Sequence, residues 1–128
     1  MDGFLTKHRG GCHCGEISFE FRAPAEVDVL DCNCSICQRG RFIHLIVPKS
    51  NFTLLSSEGA LGDYQFGTKA AHHFFCRRCG VKSFYQPRSH PDAYSVNLRC
   101  VEEGTLNKIN TSVFDGQNWE QAHAALTD

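Results

Sequence analysis

The sequence FCRRCG, residues 75–80, is the most informative stretch of this chain for its fold. Two cysteines separated by two residues form a tight turn that directs both sulfur atoms at one point, a spacing typical of zinc sites. Gly80 allows the backbone to reverse directly after Cys79. We therefore expect Cys76 and Cys79 to supply half of a metal site.

The other half is predicted at GGCHCG, residues 10–15. Side chains two residues apart in an extended strand lie on the same side, so Cys12 and Cys14 can face one ion. The flanking glycines let the chain curl around that ion. Together the two pairs make a closed site of four thiolates, which is normally structural.

Eight cysteines among 128 residues require a choice between disulfides and metal binding. A disulfide between residues only two apart would be strained, and clustered cysteines in a reducing cytosol more often bind metal. We predict metal binding. The cysteines outside the first site are Cys32, Cys34 and Cys37 in DCNCSIC, residues 31–37, and the isolated Cys100.

Three thiolates within six residues can hold one ion from a single loop. The fourth ligand could be Cys100, a histidine or an exchangeable molecule, and an exchangeable ligand makes a site of the open, catalytic kind. Zinc with three thiolates carries a net charge of about −1, so it is a weak Lewis acid but a good host for a further thiolate. This favours binding of a thiol substrate over hydrolysis. A second closed structural site, completed by Cys100, remains the alternative.

The rest of the chain is predicted to be mainly β and to form one domain, residues 1–128. In EISFEF, residues 16–21, Ile17, Phe19 and Phe21 alternate with other residues and predict a half-buried strand. Helix signals are restricted to one turn after Cys34 and a short segment over residues 118–126. Further short strand-like runs, separated by turn residues, lie at 41–48, 51–55, 63–66, 71–76, 82–87 and 93–98.

The net charge and the hydropathy pattern limit which classes of partner and which cellular location we expect. The net charge is −1, which does not indicate a nucleic-acid partner. The sequence has no apolar run long enough to span a membrane and no recognisable secretory leader. We expect a cytoplasmic protein that acts on small molecules.

Four segments, GGCHCGEISFEF, DCNCSICQRG, HHFFCRRCGVKSFY and VNLRC, resemble the glutathione-dependent formaldehyde-activating enzyme family. That family also includes the centromere protein V type of domain. The likeness extends over nearly the whole chain, and the combined cysteine pattern is highly specific. It implies a mainly β, Mss-four-like fold of two small curved antiparallel sheets stapled by zinc.

The resemblance also implies two zinc ions per chain and a reaction. The structural zinc would be held by the residues matching Cys12, Cys14, Cys76 and Cys79. A second, catalytic zinc would be held by those matching Cys32, Cys34 and Cys37. The activity implied is the reversible addition of glutathione to formaldehyde, a carbon–sulfur lyase reaction. A carrier of the thiol adduct without catalysis, or a structural zinc-binding interaction domain, are the competing interpretations.

Other residues are assigned weaker roles. Arg39 follows the second cysteine loop and is predicted to bind a carboxylate of the thiol substrate. Candidate proton donors are His44, His72 and His73, although His73 is expected more often to pack beside the four-cysteine site. Trp119 is expected to pack the final helix. Surface positions are predicted for His8, His13, His90 and His123.

Overall fold

The computed structural model describes residues 5–121 and 124, and this part of the chain is mainly β, as predicted. One helix, α1 (Ser35–Gly40), interrupts the strands, together with short 3-10 turns. The strands are β1 (Leu5–Gly11), β2 (Ser18–Pro24), β3 (Glu26–Cys32), β4 (Ile43–Pro48), β5 (Phe52–Leu54), β6 (Leu61–Tyr64), β7 (His73–Cys76), β8 (Phe84–Tyr85), β9 (Ala93–Asn97) and β10 (Lys108–Phe114).

The strands form a three-stranded sheet in the order β1-β2-β5, a five-stranded sheet in the order β10-β3-β4-β9-β8, and the pair β6-β7. The family resemblance implied two antiparallel sheets, whereas the described residues form three, and one of these is mixed. β10 returns along β3 in parallel, with Phe114 beside Cys32. That register brings the segment after β10 to the end of β3, where the second cysteine loop begins.

The main core lies between the three-stranded and five-stranded sheets, and its centre is the predicted alternation in and before β2. Ile17, Phe19 and Phe21 are almost completely buried. The ring of Phe19 stacks on Phe52 at 5.1 Å and meets the edge of Phe84 at 5.5 Å. Burial of each such side chain contributes roughly 1.5–3 kcal/mol.

His8 was predicted to lie at the surface, and this prediction is wrong. Its side chain is fully buried because the alternation of β1 turns it inward, against the ring of Phe21. Nε2 donates to the carbonyl oxygen of Ala23 at 3.0 Å, and Nδ1 accepts from the hydroxyl of Thr105 at 2.7 Å. Both ring nitrogens therefore have partners, which removes the usual penalty for burying a polar group.

A second, smaller apolar cluster forms where β3, α1 and the end of β10 meet. Its buried members are Cys32, Cys37 and Phe114, and Trp119 packs against them. The predicted final helix begins as expected, since Trp119 and the two residues after it are helical, as is Ala124. The other residues of that segment, including His123, lie outside the described residues. The described helices are all too short or too polar to cross a membrane.

Candidate metal centres and the adjoining cavity

The first site is the cluster that Cys12, Cys14, Cys76 and Cys79 form, here called the four-thiol cluster. All four sulfur atoms lie within 4.8 Å of one another. The sulfur of Cys14 is 3.7 Å from that of Cys12 and 3.6 Å from that of Cys76. Tetrahedral zinc with Zn–S bonds of about 2.3 Å requires sulfur separations of about 3.8 Å. The four-thiol cluster thus fits zinc without rearrangement.

Backbone N–H groups hold these sulfur atoms in place. The sulfur of Cys76 accepts from the N–H groups of Arg78 and Cys79, at 3.3 and 3.4 Å. Gly80 then reverses the chain with φ of +79°, as the sequence predicted. Hydrogen bonds from the backbone, first from Val81, lower the pKa of Cys79 to about 6. The turn is therefore built to stabilise thiolates, the form that binds metal.

The second site is the cluster that Cys32, Cys34 and Cys37 form, here called the three-thiol cluster. Its sulfur atoms also lie within 4.8 Å of one another. Cys34 caps α1, with its sulfur accepting from the N–H of Cys37 at 3.4 Å. Hydrogen bonds from Cys32 and Cys37 lower the pKa of the Cys34 thiol, and the pKa of Cys37 is raised in turn. The hydrogen bond to Cys34 also raises the pKa of Cys32. The cluster by itself therefore favours one thiolate, at Cys34, and a soft cation would bind there with release of protons from the other two thiols.

The segment after β10 closes one side of the three-thiol cluster. A Cβ atom on Gly116 would lie 2.6 Å from both the sulfur of Cys32 and the Cβ of Cys34. The next residue is tied to the cysteine loop, since the N–H of Gln117 donates to the side chain of Asn33 at 3.1 Å. Only glycine fits this approach, because any side chain would displace a cysteine.

The three-thiol cluster has no fourth cysteine, histidine or acidic ligand atom among the residues that the structure describes. Cys100 lies instead near the four-thiol cluster, where burial and then the charges of Cys12 and Cys79 raise its pKa to about 11. His44 is hydrogen-bonded to one of the three cysteines, with Nε2 at 3.1 Å from the sulfur of Cys37, but it does not lie within 4.8 Å of all three sulfur atoms. Neither of the two side-chain candidates that the sequence offered for the fourth position completes this cluster in the described residues.

A cavity of about 550 Å³ opens over the three-thiol cluster, and all three cysteines line it. Most of its wall is apolar, which is typical of small-molecule sites. Its wall contains no Asp or Glu among the described residues, and Arg88 is the one Lys or Arg there. The larger apolar wall residues are Leu30, Ile36, Ile46, Phe66, Pro87, Phe114 and Trp119; the larger polar ones are His44, His73, Tyr85, Arg88 and Gln117.

The histidines that the sequence offered as proton donors occupy different places. His73 lines the cavity above the three-thiol cluster, so it does not simply pack beside the other metal site. The ring of His44 is buried and held at Nδ1 by the hydroxyls of Ser95 and Tyr85, at 2.9 and 3.2 Å. His72 pairs with Asp63 at 2.9 Å, outside the cavity wall. The side chain of His13 is exposed, as predicted.

The arginine that lies at the cavity is not the one that the sequence led us to expect. Arg39 is exposed on α1, where it donates to the carbonyl oxygen of Ser35 at 2.9 Å, and it is not part of the cavity wall. Arg88 is in that wall, with its guanidinium 3.6 Å from the centre of the Trp119 ring and paired with Glu120. Sequence reasoning missed Arg88, because nothing in the loop between β8 and β9 distinguishes it from a solvated surface charge.

The fold and the two clusters together define a mainly β, cysteine-rich protein with two clusters that could each hold a metal ion, one of them facing a cavity. Comparison with known families agrees with this class. The model of the family described as "Glutathione-dependent formaldehyde-activating enzyme" matches residues 7–120. Because that match covers most of the chain, the chain belongs to this family.

Comparison with solved structures gives the same result for the fold. The chain is similar to the crystal structure of a Rhodobacter sphaeroides protein determined as a structural genomics target. The two sequences are 33% identical, and the match has a TM-score of 0.68. It covers 81% of this chain and 99% of the other.

Proposed function

We propose that this protein catalyses the reversible addition of a small thiol, glutathione in the first instance, to formaldehyde or a related aldehyde. The observation that carries the proposal is the three-thiol cluster, which faces a cavity and lacks a fourth protein ligand within the described residues. The family to which the chain belongs supports this choice of reaction. Eight free thiols are suited to a reducing compartment, so we place the reaction in the cytoplasm.

The two clusters would hold two zinc ions in different roles. We assign a structural zinc to the four-thiol cluster and a second zinc to the three-thiol cluster. When bound at the three-thiol cluster, zinc supplies the positive charge that keeps a thiol deprotonated near neutral pH. The remaining work of binding and orientation is done by the protein side chains around the cavity.

The reaction makes one carbon–sulfur bond. The thiolate sulfur attacks the carbonyl carbon, the π electrons of the carbonyl move to oxygen, and that oxygen takes a proton to give the hydroxymethyl thioether. The reverse reaction breaks the same bond and returns the proton. Apolar wall residues such as Ile36 and Phe114 keep water away from the reacting atoms.

The substrate carboxylates need a cation at the cavity. Arg88 is better placed for this than Arg39, because Arg88 lines the cavity and Arg39 is bonded to its own helix. The carboxylate-binding role of Arg39 stays a prediction. Both assignments concern the affinity for the thiol and leave the chemical step unaffected.

Exchange NMR at fixed concentrations of glutathione and formaldehyde tests the proposal, with zinc content measured on the same samples. We expect the wild-type protein to increase the exchange rate and Cys34→Ser to lose both this increase and the second zinc. Cys100→Ser is the matched control, since it removes a thiol outside both clusters.

Each alternative function predicts a different result in that experiment. Binding of glutathione with no increase in exchange rate would identify a carrier. Loss of one zinc in Cys100→Ser would identify a closed structural domain. Either result would refute the catalytic proposal.

A further inference from the structure

Lys82 is a cation enclosed by aromatic rings, and no acidic side chain forms an ion pair with it in the described part of the chain. Its ammonium group lies 3.9 Å from the centre of the Tyr85 ring and 4.9 Å from that of Phe42. Its short polar contact is with Nδ1 of His73, at 2.6 Å. Burial lowers the pKa of Lys82 to about 8, so the group is mostly protonated at neutral pH. A protonated lysine only donates, so Nδ1 of His73 must accept.

This contact fixes the tautomer of His73. An imidazole that accepts at Nδ1 and is neutral carries its proton on Nε2. Burial, and then the charge of Lys82, lower the pKa of His73 to about 4, so the ring is neutral at pH 7. The His73 ring is also held by stacking, at 4.8 Å from the ring of Tyr85 and 5.3 Å from that of Phe66.

The Nε2 atom of His73 is available to a molecule in the cavity. The side chain is only 6% exposed, and His73 lines the cavity wall. No described residue forms a hydrogen bond with Nε2. Every fully buried side-chain nitrogen or oxygen in the described residues does have a hydrogen-bond partner, so Nε2 is not fully buried. Nε2 is therefore accessible, and the accessible space beside this ring is the cavity over the three-thiol cluster.

We infer that His73 is a catalytic residue that donates the Nε2 proton to the aldehyde oxygen as the carbon–sulfur bond forms, and that Lys82 is the positioning residue that holds it in this tautomer. The inference rests on the proposed function. As sulfur attacks carbon, negative charge grows on the oxygen, where a fixed N–H donor stabilises it. The oxygen takes the Nε2 proton, Nδ1 takes one from Lys82, and solvent returns to Lys82 the proton that the thiol released. No net proton is gained or lost.

Three variants separate the parts of this arrangement. His73→Phe keeps an aromatic ring between Phe66 and Tyr85 but removes both nitrogens. His73→Gln returns an N–H donor near the place of Nε2. Lys82→Met removes the donor to Nδ1 and keeps an unbranched side chain against the rings. His72→Gln, at the neighbouring residue outside the cavity wall, is the matched control.

The kinetic readout is kcat and KM for thiol–formaldehyde exchange, with zinc content checked in every variant. We expect His73→Phe to lower kcat about 100-fold or more at nearly unchanged KM and with both zinc ions retained. His73→Gln should recover part of the loss, and Lys82→Met should lower kcat roughly 10- to 100-fold. His72→Gln should match the wild type. An unchanged kcat in His73→Phe would overturn the catalytic role while the proposed function stands.

A spectroscopic readout on the wild-type protein needs neither activity nor a variant. Long-range ¹H–¹⁵N spectra of protein labelled at histidine report which ring nitrogen carries the proton. We expect His73 in the Nε2–H form at pH 7, and a shift away from this form in Lys82→Met. A proton on Nδ1 in the wild type would refute the Lys82–His73 arrangement. If the wild type fails to accelerate exchange, the proposed function and the catalytic role fail together, and the spectra still decide the pairing.

Discussion

The four-thiol cluster and the three-thiol cluster both present cysteine sulfur atoms, but the cysteines of the first are far apart in sequence and those of the second are close together. The four-thiol cluster joins the turn after β1 to the turn after β7, and its cysteines belong to or pack on the main core. The three-thiol cluster comes from one short segment, from the end of β3 into α1, and belongs to a separate, smaller apolar cluster. Metal ligands from distant segments stabilise the tertiary fold because the ion joins those segments. Ligands from one short segment can leave one side of a bound ion open to other molecules.

Breaking each cluster in turn should give the largest difference between them. Cys76→Ser removes a ligand that ties residues more than sixty positions apart, and structural zinc sites contribute about 10 kcal/mol or more to folding. We expect this variant to lose its cooperative unfolding transition in urea. Cys34→Ser should lose one zinc and keep a cooperative transition. A folded Cys76→Ser with an unfolded Cys34→Ser would reverse the assignment of structural and reactive sites.

Acid should expose a second difference, because a buried neutral histidine, His73, lies above the three-thiol cluster. Its pKa is lowered from 6.5 to about 4 in the folded protein, chiefly by burial. The unfolded chain therefore binds more protons between pH 6.5 and 4, and stability falls as the pH falls through this window. The full contribution of this group is on the order of 3 kcal/mol.

The test compares the pH dependence of urea unfolding in wild type, His73→Gln and the control His72→Gln. We expect the wild-type and control curves to fall more steeply between pH 6.5 and 4 than the His73→Gln curve. Zinc loss in acid is common to all three proteins, so the difference in slope isolates the histidine. Parallel curves for all three would show that His73 is not held neutral by burial.

Gly116 offers a change confined to the three-thiol cluster. Gly116→Ala places a methyl group 2.6 Å from the sulfur of Cys32, and such overpacking costs roughly 1–3 kcal/mol. We expect weaker binding of the second zinc with the first retained, measured by chelator competition. Gly40→Ala is the control, since its added methyl at the end of α1 meets nothing within 4 Å. Equal zinc affinities in the two variants would show that the segment after β10 does not shape the cluster.

The features that could be predicted from the sequence are those whose geometry depends on residues close together along the chain. Cys76 and Cys79 share one turn, Cys34 begins one helical turn, and Phe19 alternates within one strand, so spacing alone reports their geometry. His8 shows where this fails. The segment around it, LTKHRGG, has polar residues on both faces, and only pairing with β2 decides which face is buried.

The rest of the candidate site depends on contacts between distant segments. Gly116 reaches the three-thiol cluster because β10 runs parallel to β3, a pairing that no local pattern encodes. Lys82 meets His73 because β7 and β8 lie side by side, and in the sequence it is one unremarkable lysine before SFY. Residues that define a cavity in this way have no spacing rule, so they become visible only once the strands are placed.

The smallest expected effect concerns the charge at the rim of the cavity. Arg88 is paired with Glu120, which is largely exposed, so the pair contributes less than about 1 kcal/mol to stability. If Arg88 binds a carboxylate of the thiol, Glu120 competes with the substrate for it. Arg88→Met should then raise KM for glutathione several-fold, and Glu120→Gln should lower it, with kcat little changed in both.

Arg39→Met separates this interpretation from the one that the sequence suggested. Its guanidinium is bonded to Ser35 within α1, so we expect KM close to that of the wild type. A rise in KM in Arg39→Met, with none in Arg88→Met, would show that Arg39 on α1 binds the substrate carboxylate, as the sequence suggested. Opposite shifts of KM in Arg88→Met and Glu120→Gln would show instead that Arg88 binds the substrate beside the three-thiol cluster. The four-thiol cluster, to which we assign a structural role, requires no such cation.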